Sequence, residues 1–483
     1  MIDGVRREID LAASVDQVWS YLTEPHKVAR WLMGSDIDAT EGARFRFTSE
    51  PSGGWDGIIE CRVVEVVARR RLSYTWNAND IGAETLVTFE LEDVGQGTRL
   101  TLTHTRFQDA QPGAEGRHAA GWHNVLKALR AELNGPTDGY DWSTLEITVF
   151  YDDPATDVYR RWTTAEGMRS FWADEVACVA PDGSRRAPTS AFRTGDSVDL
   201  TFTTARSTRL QILDLEDGRF LLFRFGEDYG WVKVAFSEEG DRTRLTLRQF
   251  GLPDDDASQW SVHAHARGWW IFNLLNLKAI LRHGVDLRVR RPDVADGLSA
   301  DFRLGADRTG APHDWTGFDV FLQIDASPAE VLARWRSAGG LESFFVREAR
   351  FTDPAGSTSG PGTLAPFQAG DSYEWGAVHD FSMEGRVLAT DDQRLAFTFG
   401  SRYSVEISAR ASGPGALLHL RQRGIRDDPE DRVHGTLNCR SCWIYFLTTL
   451  KSQLEYGVDL RDHDPETADS IAVGYNSAVL SAT

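Results

Sequence analysis

Three polar residues stand at equivalent places in this chain and are the first candidates for chemistry. His104, Gln249 and Gln422 each lie two residues after a Leu-x-Leu pair in a segment with strand-like alternation. Because side chains alternate across a strand, each polar residue shares the core face with its two leucines. A buried polar group needs a hydrogen-bonding partner. Two interpretations remain open, a satisfied hydrogen bond inside the core or a polar anchor in a ligand cavity.

Tryptophans form the second group of candidates. The chain has 16 Trp and 25 Phe, and several of the Trp stand at strand or helix spacing. Aromatic residues at such spacing usually belong to the core, and they can equally line a cavity for an apolar or aromatic molecule. The predicted ligand-binding residues are His104, Trp31, Trp55, Trp76, Trp122, Gln249, Trp269, Gln422 and Trp443.

The sequence lacks the common motifs for catalysis, metals and nucleotide cofactors. It has no phosphate loop, no dinucleotide-binding glycine motif and no His-Glu-x-x-His zinc motif. Cys439 and Cys442 form a Cys-x-x-Cys pair, but the pair lies in a predicted helix and has no second pair for zinc. His263 and His265 are two residues apart and therefore do not share a helix face. We predict no catalytic residue, no metal site and no cofactor.

Composition argues against several classes of partner. The formal net charge is −20 and no basic run is present, which argues against a nucleic-acid partner and against an anionic membrane surface. No apolar run approaches the roughly 20 residues of a membrane span. The first residues show no secretory apolar region, and four Cys are too few for a disulfide framework. We expect a soluble, cytoplasmic protein without a nucleic-acid or membrane partner.

The chain repeats itself on the scale of whole domains. Two Gly-Val-Asp-Leu-Arg segments, beginning at Gly284 and Gly457, are 173 positions apart. Solenoid repeats are much shorter, at about 20–50 residues. We therefore predict three domains and an acidic tail: copy one (residues 1–136), copy two (143–289), copy three (316–462) and the tail (463–483).

The junctions between the copies carry tryptophans. Trp142 and Trp315 stand just before the first strands of copies two and three, again 173 positions apart. A Trp present at matching junctions is expected to be packed, so we predict that both side chains are mostly buried. We also expect residues 1–136 to fold alone, because the core elements of copy one are complete within them.

Each copy shows the same order of predicted elements. In copy one, a strand over residues 5–11 precedes two short helices. Ser14 and Gln17 form a capping-box pattern for the first helix, and Pro25 suits the first turn of the second. Strand-like runs then cover residues 43–107, and apolar residues at helical spacing predict one long final helix. The predicted long helices of the three copies cover residues 118–134, about 263–283 and about 434–456.

Several features of copy one carry a family resemblance: Val18-Trp19, Trp31, the stretch from Val63 to Trp76, the stretch from Gly97 to His104, and Gly121-Trp122. With these features copy one resembles the SRPBCC (START-like) superfamily, and more narrowly the proteins named for the C-terminal domain of the activator of the heat-shock-protein-90 ATPase. Copy two matches at both ends, and copy three at its opening helices and from Arg421 onward.

The resemblance implies an α+β fold of three tandem helix-grip domains. In such a domain a curved antiparallel sheet wraps around a long C-terminal helix, with two short helices after the first strand and a cavity between sheet and helix. The resemblance implies little about function, since the superfamily includes lipid carriers, polyketide cyclases and chaperone activators.

Two classes of function follow from these observations. The first is a binding protein that holds an apolar or aromatic small molecule in helix-grip cavities, or a scaffold. The second is an enzyme, a cyclase or dehydratase that acts on a polyketide-like substrate by acid–base catalysis. An acid–base catalyst needs a proton acceptor, and of the three equivalent polar positions only His104 is titratable, so we favour binding. A chaperone cofactor, with a chaperone as protein partner, is a further alternative that the resemblance alone suggests.

Overall fold

A computed structural model describes residues 4–51, 55–134, 140–203, 207–226, 229–289, 302–304, 313–376, 382–400 and 402–463. The elements of copy one are β1 (Gly4–Leu11), α1 (Val15–Thr23), α2 (Pro25–Trp31), β2 (Gly34–Ser35), β3 (Arg44–Thr48), β4 (Ile58–Val67), β5 (Arg71–Ala78), β6 (Thr85–Asp93), β7 (Thr98–Thr105) and α3 (Ala114–Asn134). The predicted order of elements in copy one is confirmed, and Ser14 and Gln17 form the predicted capping box of α1.

Copies two and three repeat this order. Copy two consists of β8 (Thr144–Tyr151), α4 (Ala155–Thr163), α5 (Ala165–Phe171), β9 (Glu175–Val179), β10 (Ser197–Thr201), β11 (Ser207–Glu216), β12 (Phe220–Phe225), β13 (Trp231–Glu239), β14 (Arg242–Phe250), α6 (Asp256–Ser258) and α7 (His265–His283). Copy three, with one strand that precedes it, consists of β15 (Phe302–Leu304), β16 (Gly317–Ile324), α8 (Pro328–Trp335), α9 (Ala338–Glu342), β17 (Glu348–Thr352), β18 (Thr358–Ser359), β19 (Ser372–Gly376), β20 (Ser382–Thr390), β21 (Arg394–Phe399), β22 (Tyr403–Ser412), β23 (Gly415–Arg423), α10 (Pro429–Asp431) and α11 (Cys439–Tyr456).

The three sheets share one topology. In each copy the first strand of the domain (β1, β8 or β16) pairs antiparallel with the last strand, and the other strands follow in reverse sequence order, except that β17 comes before β18 at the far edge of copy three. The orders are β1-β7-β6-β5-β4-β3-β2, then β8-β14-β13-β12-β11-β10-β9, and then β15-β16-β23-β22-β21-β20-β19-β17-β18. Each sheet packs on the long C-terminal helix of its own copy. The α+β fold of three tandem helix-grip domains is therefore confirmed.

The structure differs from the sequence-based prediction at the starts of the long helices. Helix α3 begins at Ala114, earlier than predicted. Helices α7 and α11 are each preceded by a π-helical turn, Gln259–Ala264 and Arg432–Asn438. The two turns begin 173 positions apart, so the same irregularity recurs in both copies. Periodicity does not signal such turns, because they insert a residue into an otherwise helical pattern.

Copies two and three share one hydrophobic core, whereas copy one has its own. The shared core passes through the crossing of α7 and α11, where Gly268 lies against Ile444. The Arg440 guanidinium, which is buried, donates to the carbonyl oxygen of Ala264 at 2.7 Å. Copy one meets copy two through a small separate cluster of Ala120, Leu213, Trp231 and Phe250.

The repeated Gly-Val-Asp-Leu-Arg segment is a clasp between the end of the long helix and a short one. Gly284 ends α7 in the left-handed conformation, with φ of 68°, which favours glycine. Arg288 pairs with Asp286 at 2.7 Å and donates to the carbonyl oxygens of Ser170 and Ala173 at the end of α5. Arg461 makes the equivalent contacts to the carbonyls of Glu342 and Val346 in copy three.

The junction tryptophans contact each other across copies two and three. Trp315 is buried, Trp142 is half-buried, and their ring centroids are 5.7 Å apart. His263, in the π-helical turn before α7, donates to the carbonyl oxygen of Trp142 at 2.7 Å, and its other ring nitrogen is 3.1 Å from the Tyr140 hydroxyl. The expected burial is therefore found for Trp315 and only in part for Trp142.

Candidate functional site

His104 lies in the interior of copy one, on β7 and facing α3, and its side chain is buried. Its Nδ1 accepts a hydrogen bond from the Trp122 indole at 3.0 Å, and its Nε2 lies 2.7 Å from the Thr85 hydroxyl. The Thr85 hydroxyl donates to the carbonyl oxygen of Trp76 at 2.9 Å and so accepts from His104. The contacts thus assign a neutral imidazole with its proton on Nε2.

The surroundings of His104 keep the ring neutral and fully engaged. Burial, and after it the neighbouring His118, hold the pKa of His104 well below its usual value. A neutral imidazole that already accepts one hydrogen bond and donates another has no free lone pair for a general base. A ligand would reach either nitrogen only by displacing Trp122 or Thr85. These contacts favour the interpretation of a satisfied internal hydrogen bond, and the anchor role of His104 stays a prediction.

Gln249 and Gln422 make the same connection in copies two and three. The Gln249 amide oxygen accepts from the Trp270 indole at 2.7 Å, and the Gln422 oxygen accepts from the Trp443 indole at 2.8 Å. The amide nitrogens then donate to backbone carbonyls, of Tyr229 in copy two and of Gly435 in copy three. In all three copies an indole on the long helix is therefore bonded to the last long strand. In copy two, Trp270 makes this contact, and Trp269, one of the predicted ligand-binding residues, does not.

Only part of the predicted tryptophan group of copy one surrounds His104. The ring centroids of Trp76 and Trp122 are 5.3 Å apart, and both rings lie within 6.0 Å of the imidazole. Trp31 is buried elsewhere in the same core and donates to the Tyr21 carbonyl at 2.9 Å. Trp55 is partly buried at the start of the β4 hairpin, where it donates to the Ile58 carbonyl.

In copy two, aromatic rings form a continuous cluster that runs from the core to the surface. Trp172 is buried and lies 5.7 Å from Trp162 and 5.8 Å from Trp269, measured between ring centroids. Trp269 is only half-buried, and its ring is parallel to that of Phe225 at 5.6 Å. Phe202, also half-buried, meets the Trp269 ring edge to face at 5.8 Å. We call these five residues the copy-two aromatic cluster.

Copy three has a related cluster around Trp443. The half-buried Phe345 lies 5.2 Å from Trp443, 5.3 Å from Trp375 and 4.9 Å from Phe446. Phe345 and Trp172 are 173 positions apart, so the two clusters are built on equivalent positions. Sequence reasoning missed three residues of the copy-two cluster, Trp162, Phe202 and Phe225. Trp162 recurs as Trp335 at the interval of 173 positions, and this recurrence could have pointed to it.

Several buried indole groups in these clusters lack a hydrogen-bond partner. Among the described residues, the N–H groups of Trp162 and Trp172 in copy two and of Trp335 and Trp375 in copy three are buried and unpartnered, as is that of Trp76 in copy one. Buried polar groups in native proteins are nearly always paired, so an unpaired one calls for an explanation. A ligand oxygen that accepts from the indole is one such explanation.

The contacts of the remaining Cys and His residues indicate structural roles. Cys439 and Cys442 are free thiols on successive turns of α11, and burial raises the pKa of both, to about 11 and about 12. A thiol with a raised pKa is less reactive as a nucleophile. His118 bonds to the Ala114 carbonyl at 2.8 Å. Within the described part of the chain, no group of three or more His, Cys, Asp or Glu residues is placed to hold a metal ion.

The clefts on the described surface include three with volumes of about 760, 340 and 540 Å³. Charged and polar side chains line them, and none of the three is lined by His104 or by the copy-two aromatic cluster. Within the copy-two aromatic cluster, Trp269 and Phe202 are the half-buried members, and the other three are buried.

Comparison with known proteins identifies the family. A family model described as "Activator of Hsp90 ATPase homolog 1-like protein" matches residues 12–134 and 152–282. The chain therefore belongs to this family, and all matched residues lie in copies one and two. Copy three shares the fold of the other two through its element order and sheet topology. No curated protein matches the sequence.

Solved structures with likeness to parts of the chain include protein MLL2253 from Mesorhizobium loti, at 30% identity over 28% of this chain and 98% of that protein, with a TM-score of 0.25. DynU16, a protein in the dynemicin biosynthetic locus, is 21% identical over 55% of this chain and 93% of its own, with a TM-score of 0.25. CalU16 from Micromonospora echinospora is 25% identical over 28% of this chain and 74% of its own, with a TM-score of 0.22.

In the part of the chain that the structure describes, no helix combines the length and the apolar character needed to cross a membrane.

Proposed function

We propose that this chain is a binding protein for a neutral aromatic or apolar small molecule, which it holds between the sheet and the long helix of copy two. The observation that carries the proposal is the copy-two aromatic cluster, which reaches from the core to the surface and contains two buried, unpartnered indole donors, Trp162 and Trp172. Ligand pockets are typically apolar and aromatic with a few polar groups that orient the ligand. The proposed ligand carries an oxygen acceptor on an otherwise apolar body.

Trp269 is the proposed gate of this site. Its ring stacks on Phe225 and also contacts Phe202 and Trp172, so a planar ligand that displaces it would find ring faces on more than one side. Aromatic pairs contribute about 0.5–1.5 kcal/mol beyond the burial of their area. A ligand that replaces the Trp269 contacts recovers that energy, which keeps the cost of opening small.

Binding without catalysis agrees with the polar groups of the three interiors. His104 is neutral and engaged at both nitrogens, and Gln249 and Gln422 do not titrate. A general acid or base must exchange a proton with the substrate. The polar residue on the last long strand therefore serves the attachment of the long helix in each copy, and it supplies no proton to a reaction.

The test uses prodan, a neutral fluorescent naphthalene with a carbonyl acceptor, and the full-length chain. We expect saturable binding, a blue-shifted emission and energy transfer from tryptophan. Trp269→Ala should weaken binding at least tenfold. Trp162→Phe removes the indole N–H and keeps an aromatic ring, so it should weaken binding about three- to tenfold, which corresponds to the loss of one hydrogen bond of about 1 kcal/mol. Native mass spectrometry of freshly purified protein then searches for a co-purifying molecule.

The equivalent positions of copy three supply matched controls. Cys442→Ala and Trp335→Phe alter the residues that correspond to Trp269 and Trp162. Both should leave prodan affinity within twofold of the wild type. Absence of saturable prodan binding together with no co-purifying molecule, or equal losses in the copy-three controls, would contradict a ligand site in copy two.

A further inference from the structure

The largest of the three described clefts lies on the outer side of the two short helices of copy two and is distinct from the aromatic cluster. It has a volume of about 760 Å³, which falls in the usual range of about 300–1,000 Å³ for small-molecule sites. Helix α4, helix α5 and the segment before β10 form its walls. The lining residues are Arg160, Arg161, Thr164, Glu166, Gly167, Arg169, Ser170, Asp174 and Thr189.

Three arginines face this cleft in a chain whose net charge is −20. Arg160 pairs with the partly exposed Asp157 at 2.9 Å. Arg161 has a longer-range charge interaction with Asp153, and neither Arg161 nor Arg169 forms a direct ion pair with another described residue. Guanidinium groups bind carboxylates and phosphates through two parallel hydrogen bonds, which gives both strength and direction.

The acidic residues of the lining do not neutralise these arginines at close range. Glu166 is exposed at the start of α5, and the Asp174 carboxylate accepts a hydrogen bond from the Thr203 hydroxyl at 2.5 Å. The lining therefore carries three positive and two negative side chains, and one of the two carboxylates, Asp174, is hydrogen-bonded to Thr203. An anion can approach Arg161 and Arg169 without first breaking an ion pair.

The backbone beneath the arginines is held in place. Arg288 donates to the carbonyl oxygens of Arg169 and Ser170, and Asn276 donates to that of Phe171 at 2.9 Å. These contacts come from the clasp and from α7, so the end of α5 is attached to the core of copy two. A fixed framework reduces the conformational entropy that a binding site loses when it takes up a ligand.

Arginines in the last turn of a helix also interact favourably with the helix dipole, and this would explain their presence without a ligand. Copy three tests that explanation, because its helices α8 and α9 begin at the positions equivalent to the starts of α4 and α5, and they end one and two residues earlier. It carries Ala333 and Glu342 where copy two has Arg160 and Arg169, and it has Arg347 in place of Asp174. Copy three keeps an arginine, Arg334, at the position of Arg161, so Arg160 and Arg169 are the two that are replaced. The short helices of copy three therefore form without those two arginines, and the combination of Arg161 with Arg169 does not recur there.

We infer that the cleft binds an organic anion that carries a carboxylate or phosphate group. Arg161 and Arg169 contact the charged group, and the volume of the cleft leaves room for an organic body. The inference does not depend on the proposed aromatic ligand, because the two sites share no lining residue.

The experiment is isothermal titration calorimetry of the full-length chain at low and at moderate ionic strength, with citrate, pyrophosphate and 2-naphthyl phosphate as probes. Citrate reports on carboxylate recognition and pyrophosphate on phosphate recognition, and 2-naphthyl phosphate adds an organic body. We expect at least one probe to bind with one site per chain and more weakly as salt rises, because exposed charge interactions are screened. Arg169→Glu, which copies the residue of copy three, should weaken binding at least tenfold, and Arg161→Gln should weaken it about fivefold.

Arg219→Glu is the matched control, since it makes the same charge change on an exposed arginine of copy two outside the cleft. It should alter the affinity less than twofold, and circular dichroism should show that all three variants are folded. If no probe binds at millimolar concentration, or if Arg219→Glu and Arg169→Glu weaken binding equally, the cleft is not an anion site and its arginines serve only solubility and the helix ends.

Discussion

Replacement of His104 by leucine tests the role of the polar residue on the last long strand. The leucine fills a similar volume but leaves the buried Trp122 indole without its acceptor at 3.0 Å, while the Thr85 hydroxyl keeps its own acceptor, the Trp76 carbonyl. A buried donor without a partner costs about 1–3 kcal/mol. We expect His104→Leu to lower the free energy of local unfolding of copy one by about 2 kcal/mol. His104→Gln, the residue type of copies two and three, should recover most of this loss.

Hydrogen–deuterium exchange of the full-length chain at neutral pH measures this effect region by region. Peptides from β7 and α3 should exchange about 30-fold faster in His104→Leu, which corresponds to about 2 kcal/mol. Peptides from copies two and three serve as internal references, and His26→Leu, at an exposed position, serves as the control variant. If β7 and α3 exchange within twofold of the wild type, or if glutamine is as harmful as leucine, the hydrogen bond from Trp122 is not what holds the helix to the strand.

Two further predictions concern the packing of copies two and three. Gly268→Ala would place a methyl group 2.5 Å from Ile444 at the helix crossing, so in urea unfolding it should destabilise the shared core by about 1–3 kcal/mol. The control Gly121→Ala, with open space around the added methyl group, should be neutral or stabilising by up to about 1 kcal/mol. Equal effects of the two substitutions would show that the crossing is not tightly packed. Burial, and after it Arg267, lower the pKa of His263 to about 3, well below the unfolded value of about 6.5. Its contribution to stability is therefore complete above pH 6.5 and is lost as the pH falls toward 3, by about 2 kcal/mol at pH 5. Urea unfolding at pH 7.5 and at pH 5 should show this loss of stability, and His263→Gln should make the loss smaller. If the variant loses as much stability as the wild type, the lowered pKa of His263 is not its cause.

The sequence determined the number of copies and their internal order, because local physics sets these features. The capping box of Ser14 and Gln17 and the alternation of β7 depend on neighbours within a few residues, and both are present in the structure. The interval of 173 positions likewise revealed equivalent residues before any contact was known. The same alternation placed His104, Gln249 and Gln422 inside the core.

The tertiary structure decided what those residues do. Alternation predicts burial of Gln249, but the choice between a ligand and the Trp270 indole depends on how α7 lies on the sheet. The sequence could not predict that α7 and α11 cross and merge two cores into one, because an apolar face does not reveal which surface covers it. Nor could it bring together Arg161 and Arg169, which stand on different short helices and meet at one cleft only after both helices pack on the sheet. Pairing between distant residues is set by docking angles, and these depend on the whole core.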